Sequence, residues 1–350
     1  VASRQPVLVT GGAGYIGSHV VLLLRAAGYQ VVAYDDLSTG HPWAVLDAEL
    51  VVGDLADRAR LASLFEQRRF GAVLHFAAHI SVEESVLDPA KYYRNNTVNA
   101  LGLFELAARH GVASLVFSST AAVYGEPQTA LVDETAPLAP INPYGASKMM
   151  AERMLQDVAA TAGLRYAILR YFNVAGAEPE GRIGQATAGS GHLIKVACST
   201  ALGQRPHMSI HGTDYLTTDG TCVRDYIHVD DLAQAHLDAL DYLEGGGAST
   251  VLNCGYGHGH SVREVIEAVR QASGVDFRVE EGPRRAGDPS ALVASNRRIK
   301  EVLGWRPRHD DLEYIVRTAW RWEQKMQPSG GPAGFDVGRD DPPRSRPAGA

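Results

Sequence analysis

The chain has 350 residues, about twice ordinary single-domain length, so two packed units are expected. Hydrophobic residues make up 45% and charged residues 21%, ordinary values for a soluble globular protein, and no apolar run nears the roughly 20 residues that span a bilayer. A net charge of -7 argues against general affinity for nucleic acid or anionic membrane. Cys198, Cys222 and Cys254 are odd in number and lack a CxxC, so they imply neither a disulfide framework nor a zinc site. The histidines show no metal-ligand spacing and no metal is assigned. The first residues lack a signal-peptide layout, so a cytoplasmic location is expected.

Through the first 170 residues, short β-branched runs alternate with longer helical stretches. Residues 7–9, 31–34, 50–52, 72–76, 115–118 and 166–169 are predicted as buried strands, and 16–27 and 61–65 have helical spacing. That order predicts an α/β fold, a doubly wound parallel sheet of the Rossmann class with helices on both faces. Beyond Gly176 the alternation loosens, and a smaller α/β unit is expected. Within it, Ser261 and Glu264 have capping-box spacing at a helix start. The expected division is 1–175, with its sheet completed by parts of 220–255, then 176–326. A disordered tail is expected over 327–350, where five Pro and five Gly leave little apolar surface to bury.

Gly11-x-x-Gly14-x-x-Gly17 follows the first strand and opens the first helix, with Tyr15 and Ile16 inside the turn. Such a turn directs unpaired backbone N–H groups and the helix dipole at a pyrophosphate, and a Cβ would block the approach. Alone, it is a weak signal whose alternative reading is a tight loop. Asp35 and Asp36 end the second strand, Asp35 standing 18 residues after Gly17. A carboxylate there accepts hydrogen bonds from ribose hydroxyls and repels a 2′-phosphate, which favours NAD over NADP. The alternative is that both merely cap a loop. Asp54 and Leu55, after the third strand, are placed to hold an adenine.

Tyr144 and Lys148 lie four apart in Asn142-Pro143-Tyr144-Gly145-Ala146-Ser147-Lys148, on one side of a helix expected to run to about Ala160. A phenol is a poor base near neutrality. A nearby ammonium and an oxidised nicotinamide favour its phenolate. Ser118, Ser119 and Thr120 leave the fifth strand at the carboxyl end of the sheet, where open α/β sheets bind ligands. Their alternative role is strand-end capping.

These residues resemble the extended short-chain dehydrogenase/reductase superfamily. The strings TGGAGYIGSH (10–19), HFAAHISVEES (75–85), NPYGASK (142–148), LRYFNVAGA (169–177), DGTCVRDYIHVDDLA (219–233) and RRAGDP (284–289) are similar to the UDP-galactose 4-epimerase family, from about Val7 to Trp322. The resemblance implies an isomerase that keeps NAD bound and interconverts UDP-glucose and UDP-galactose. A transient 4-keto sugar turns over in the pocket and takes hydride back on its other face. Tyr144 would take the proton of the sugar 4-hydroxyl, Thr120 would bond the 4-oxygen, and Lys148 would bond the nicotinamide ribose and tune Tyr144. Phe76, Ala77, Ala78, Asn95, Ser118 and Tyr171 match cofactor-lining positions. Asn173, His192, Leu193, His211, Arg224, Tyr226, Arg285 and Asp288 match the nucleotide-sugar pocket, the two arginines meeting phosphates. A homodimer, through a helix-pair face that includes 90–109, is also implied.

Four positions depart from the family's best-known bacterial pattern. His192 stands for an Asn, His211 for an aromatic residue beside the uracil, and Ile80 for a lysine. Leu292 matches a gate position where Tyr is associated with rejecting N-acetylated sugars, so turnover of UDP-N-acetylhexosamines is expected; the alternative is that neighbouring residues close the gap. The nucleotide-sugar 4,6-dehydratases and UDP-glucuronate decarboxylases share this fold but need ionisable groups where Ala121 and Ala122 stand. The alternatives are a 4-epimerase for another UDP-sugar (UDP-N-acetylglucosamine, UDP-xylose or UDP-glucuronate) and a non-catalytic dinucleotide sensor.

Overall fold

The computed structural model describes residues 5–129, 131–285 and 288–327. The tail expected from 327 onward falls, after Gln327, outside the described residues.

Seven parallel strands form the main sheet: β1 (Val7–Thr10), β2 (Val31–Asp35), β3 (Glu49–Val52), β4 (Ala72–His75), β5 (Ser114–Thr120), β6 (Arg165–Tyr171) and β7 (Thr250–Cys254). Their spatial order is β7-β6-β5-β4-β1-β2-β3, so the chain reverses its winding between β1 and β4. Each of the six predicted strands is present. The seventh comes from the 220–255 stretch and pairs with β6 in register Leu252↔Leu169. The flanking helices are α1 (Tyr15–Ala26), α2 (Arg58–Gln67), α3 (Ala100–Arg109), α4 (Pro143–Ala162) and α5 (Val229–Glu244).

Alternation along each strand builds two cores. Val7 and Val9 of β1, with Val31, Leu74, Val116 and Leu169, face α1 and α5 through Val20, Leu24, Leu232 and Leu240. Leu8, Val32, Val73, Leu115 and Ile168 face the other way, onto Leu61 and Phe65 of α2, Phe104 of α3 and Leu155 of α4. Burying each such side chain contributes about 1.5–3 kcal/mol. A one-residue slip would therefore exchange both cores.

Local chemistry sets the helix ends. Asn142 accepts the Gly145 amide and Pro143 occupies the first turn of α4, which ends on the left-handed Gly163 (φ 67°). The expected capping box is formed, Ser261 and Glu264 exchanging bonds at the start of Val262–Ser273. Beyond the main sheet lie one small four-stranded sheet and two strand pairs, short elements that compositional reading resolved only as irregular. Among the described residues, no helix is long and apolar enough to cross a membrane.

Candidate active site

The carboxyl ends of the strands open into one cavity of about 1350 Å³. One wall is the glycine turn. Gly11 has a positive φ of 70°, and a Cβ there would meet the Ala77 amide nitrogen at 2.5 Å; one on Gly17 would meet the Gly11 carbonyl at 2.1 Å. Both glycines are demanded by packing alone. Gly14 differs, meeting only the Gly11 oxygen at 3.3 Å, and it lines the cavity.

Helix α1 begins at Gly14 with no side-chain cap and no acidic residue in its first turn. Several other helices carry side-chain caps, Asp57 on α2, Asn142 on α4 and Ser261 on Val262–Ser273, although Leu193–Ala201 and Arg297–Leu303 also start without one. The first-turn amides of α1 are thus left for an anion, with the positive end of the helix dipole behind them. Asp35 lines the cavity while its oxygens accept the Ala13 and Leu37 amides, each at 2.9 Å. Capping and ligand binding are therefore compatible, because a carboxylate has about four acceptor positions. Burial pushes the Asp35 carboxyl up, and those two amides oppose the shift. Asp36, Asp54, Leu55, Phe76, Ala77, Ala78 and Asn95 continue the same wall with Tyr15, Ile16 and Gly17. The donor set fits a dinucleotide.

Thr120, Tyr144 and Tyr171 line the opposite side. Thr120 ends β5, where its Oγ1 accepts the Ala122 amide at 3.1 Å, so it caps a turn and faces the cavity at once. Tyr144, in the first turn of α4, is 7% exposed. Burial raises its phenol, and a hydrogen bond with Thr120 pulls it back. The Tyr92 ring meets it edge-on at 6.4 Å.

Lys148 and Ser118 do not line the cavity. Lys148 is 2% exposed, and its Nζ donates to the Ser118 carbonyl at 2.9 Å. Burial pulls it down to about 7, against the pull of Glu152 in the other direction. The Ser118 hydroxyl donates to the Tyr171 hydroxyl at 2.9 Å. Lys148 thus ties α4 to the end of β5, and Ser118 is bonded to Tyr171, which lines the cavity.

The expected nucleotide-sugar residues gather on the remaining wall: Asn173, His192, Leu193, His211, Arg224, Tyr226, Arg285, Asp288 and Leu292 all line the cavity. Arg224 and Asp288, expected on different parts of a ligand, are paired with each other at 2.9 Å. His192 precedes the helix Leu193–Ala201 without a side-chain cap bond, and its ring meets Gln185 at 2.9 Å. Ile80 is half exposed on the lining segment 79–87.

Sequence reasoning did not reach Tyr92, Gln185, or His236, whose ring packs against Phe76 at 4.7 Å and Tyr171 at 6.4 Å. None sits in a motif that would single it out. Among the described residues, His228, Asp230 and His309 bring donor atoms within 4.8 Å of one another. His228 is already committed, accepting the Asp230 amide at 3.1 Å and meeting Thr318 Oγ1 at 3.1 Å. A metal there would have to break the cap of α5.

A Rossmann sheet whose glycine turn shares one cavity with a buried Tyr/Thr pair defines a dinucleotide-dependent enzyme class. A model of the NAD dependent epimerase/dehydratase family matches residues 7–255. A UDP-glucose 4-epimerase of Azospirillum brasilense is 54% identical over 338 residues, 96% of this chain and 97% of that protein. The crystal structure of the Brucella ovis UDP-glucose 4-epimerase in complex with NAD superposes with a TM-score of 0.88 at 45% identity, covering 91% of this chain and 98% of that one. The UDP-Glc/GlcNAc 4-epimerase of Campylobacter jejuni gives 0.81 at 49% identity, over 92% and 99%. This chain belongs to the NAD-dependent epimerase/dehydratase family.

Proposed function

We propose that this chain is an NAD-dependent 4-epimerase, an isomerase that interconverts UDP-glucose and UDP-galactose. One observation carries the reading: Tyr144 and Thr120 share a single cavity with the uncapped start of α1 and with Arg224 and Arg285. A base, a dinucleotide cradle and a diphosphate clamp converge there.

When bound, NAD supplies the acceptor and donor of hydride at sugar C4, so the carbon inverts without net redox change. The first-turn amides of α1 would hold its pyrophosphate, Asp35 its adenosine ribose, and the wall from Phe76 to Asn95 its nicotinamide half. Tyr144 takes the proton of the 4-hydroxyl and returns it to the same oxygen. One phenol thus serves both directions, and Thr120 orients that oxygen. Lys148, from behind, stabilises the phenolate by charge. Arg224 and Arg285 clamp the diphosphate, and Asp288 meets the uridine ribose. Ala121 and Ala122 offer no further acid or base, which keeps the chemistry at C4.

The same reading assigns residues 1–175, with β7 and α5, to the cofactor unit and 176–326 to the nucleotide-sugar unit. It also makes the protein a homodimer, through the face of the α3–α4 helix pair. Val98, just ahead of α3, and Met150 of α4 are 52% and 42% exposed there. A cytoplasmic location fits three cysteines that are all unpaired.

The test is a proton NMR time course with UDP-galactose and no added NAD. Growth of the UDP-glucose anomeric signal is expected. Silence, with NAD released on denaturation, would redirect the assignment to another UDP-sugar or to a sensor.

A further inference from the structure

Arg224 and Tyr226 both line the cavity, so along an extended chain the residue between them faces the other way. That residue is Asp225, which is 0% exposed. It stands where the chain passes from one pairing to another: Val223–Arg224 runs beside Ala291–Ala294, and Tyr226–His228 beside Asn173–Ala175. Its backbone holds both neighbours. The Asp225 carbonyl accepts the Asn173 amide at 2.9 Å, and its amide donates to the Leu292 carbonyl at 3.3 Å. Asn173 and Leu292 line the cavity as well, so four lining residues meet at this junction.

The side chain fixes the junction from behind. Oδ1 accepts the Tyr256 amide at 2.9 Å, while Oδ2 accepts the Gly257 amide at 3.0 Å and the Ala294 amide at 3.2 Å. Tyr256 and Gly257 follow β7 closely, and Ala294 ends the strand that carries Leu292. One carboxylate therefore ties the edge strand of the main sheet to the pocket. A Cβ on Gly255 would meet Oδ2 at 2.6 Å, so the close approach dictates a glycine there. Tyr256 is itself anchored: its hydroxyl donates to Asp231 of α5 at 2.7 Å, and its carbonyl accepts the Asn296 side chain at 2.6 Å. We propose that Asp225 is a positioning residue of the nucleotide-sugar clamp: its carboxylate locks the junction that carries Arg224, Asn173 and Leu292 to the end of β7, and so sets the affinity for the substrate's diphosphate. That role rests on the UDP-sugar reading of the cavity. An amide cannot replace the carboxylate. With its oxygen toward Gly257 and Ala294, its NH2 meets the Tyr256 N–H donor to donor.

The test compares Asp225→Asn with wild type, both loaded with NAD. The Kd for UDP, read by calorimetry, and KM for UDP-galactose are expected to rise together, at least about tenfold. Over the same comparison kcat should change by less than about threefold and the NAD content should stay that of wild type, because Thr120, Tyr144 and the glycine turn stand on other elements. A folded variant with Kd and KM unchanged overturns the proposal, whatever its melting temperature does. A fall in kcat at unchanged Kd overturns it too. If Asp225→Asn does not fold, hydrogen exchange in the wild type decides. Tyr256, Gly257 and Ala294 do not line the cavity, so UDP reaches their amides through the residues that hold them. Saturating UDP is expected to slow exchange at all three at least about fivefold, and unchanged exchange overturns the proposal. A wild type that binds no UDP overturns the UDP-sugar reading and this role together. A wild type that binds it, beside a variant that binds it equally well, overturns the role of Asp225 alone.

Discussion

Arg224 and Asp288 bind each other at 2.9 Å across the cavity wall, although the sequence motifs assign one to phosphate and the other to a ribose. The guanidinium is thereby held in place while keeping donors for an anion, since only Nη2 meets Asp288 and Nη1 meets the Val223 carbonyl. Arg224→Leu should raise KM for UDP-galactose about 10–100-fold, the loss of a charged hydrogen bond, with kcat changed by less than about fivefold. Steady-state kinetics would check this. A kcat collapse at unchanged KM would place Arg224 in the chemistry instead.

Tyr144 is the only ionisable group proposed to exchange a proton with the sugar. Tyr144→Phe should therefore cut kcat about 10²–10⁴-fold, the usual contribution of a general base, and leave the purified protein loaded with NAD. Single-turnover reduction of the bound NAD by substrate reads out the same loss. Residual activity above a tenth of wild type would remove Tyr144 from that role.

Leu292 is 8% exposed and lies opposite Arg224 in the small sheet, where Ala294 follows on the same face. It lines the cavity, and its side chain is shorter than a tyrosine, which on the proposed reading would leave room beside the sugar. Wild-type protein is expected to epimerise UDP-N-acetylglucosamine, and Leu292→Tyr to lower that rate at least about tenfold while sparing UDP-galactose. Equal rates for the two proteins on the N-acetylated sugar would sink the idea.

Burial holds His75 down to about 3, with the Lys148 charge as a second cause, and its Nδ1 is bonded to Thr10 Oγ1 at 2.7 Å. The unfolded chain binds a proton there below the ordinary value of 6.5 and the folded chain does not. Stability therefore falls as pH drops from about 6.5 toward 3. This group accounts for about 1.4 kcal/mol per pH unit across that window. Urea unfolding at pH 5 and pH 7 should show the difference between them shrinking by about 2 kcal/mol in His75→Asn, that slope taken from about pH 6.5 to 5. An identical pH dependence in the variant would rule out the buried neutral imidazole.

The sequence by itself determined the α/β class, the six early strands and the glycine turn, because these depend on residue type and short spacing. Gly11 and Gly17 are readable since no other side chain fits where they stand, and Tyr144 with Lys148 since four residues make one helical turn. The tertiary structure decided which expected residues line the cavity. Lys148 and Ser118 do not line it, and their polar atoms bond the Ser118 carbonyl and the Tyr171 hydroxyl. Glu152 shows the limit most clearly. Its spacing from Lys148 is plain in the chain, yet a glutamate in a helix reads as solvent-facing until Arg170, 18 residues on in strand β6, is seen beside it. Of the seventh strand only the stretch 220–255 was legible, and the small sheets escaped, for the same reason: their pairing partners lie far along the chain, so only the folded contacts select them.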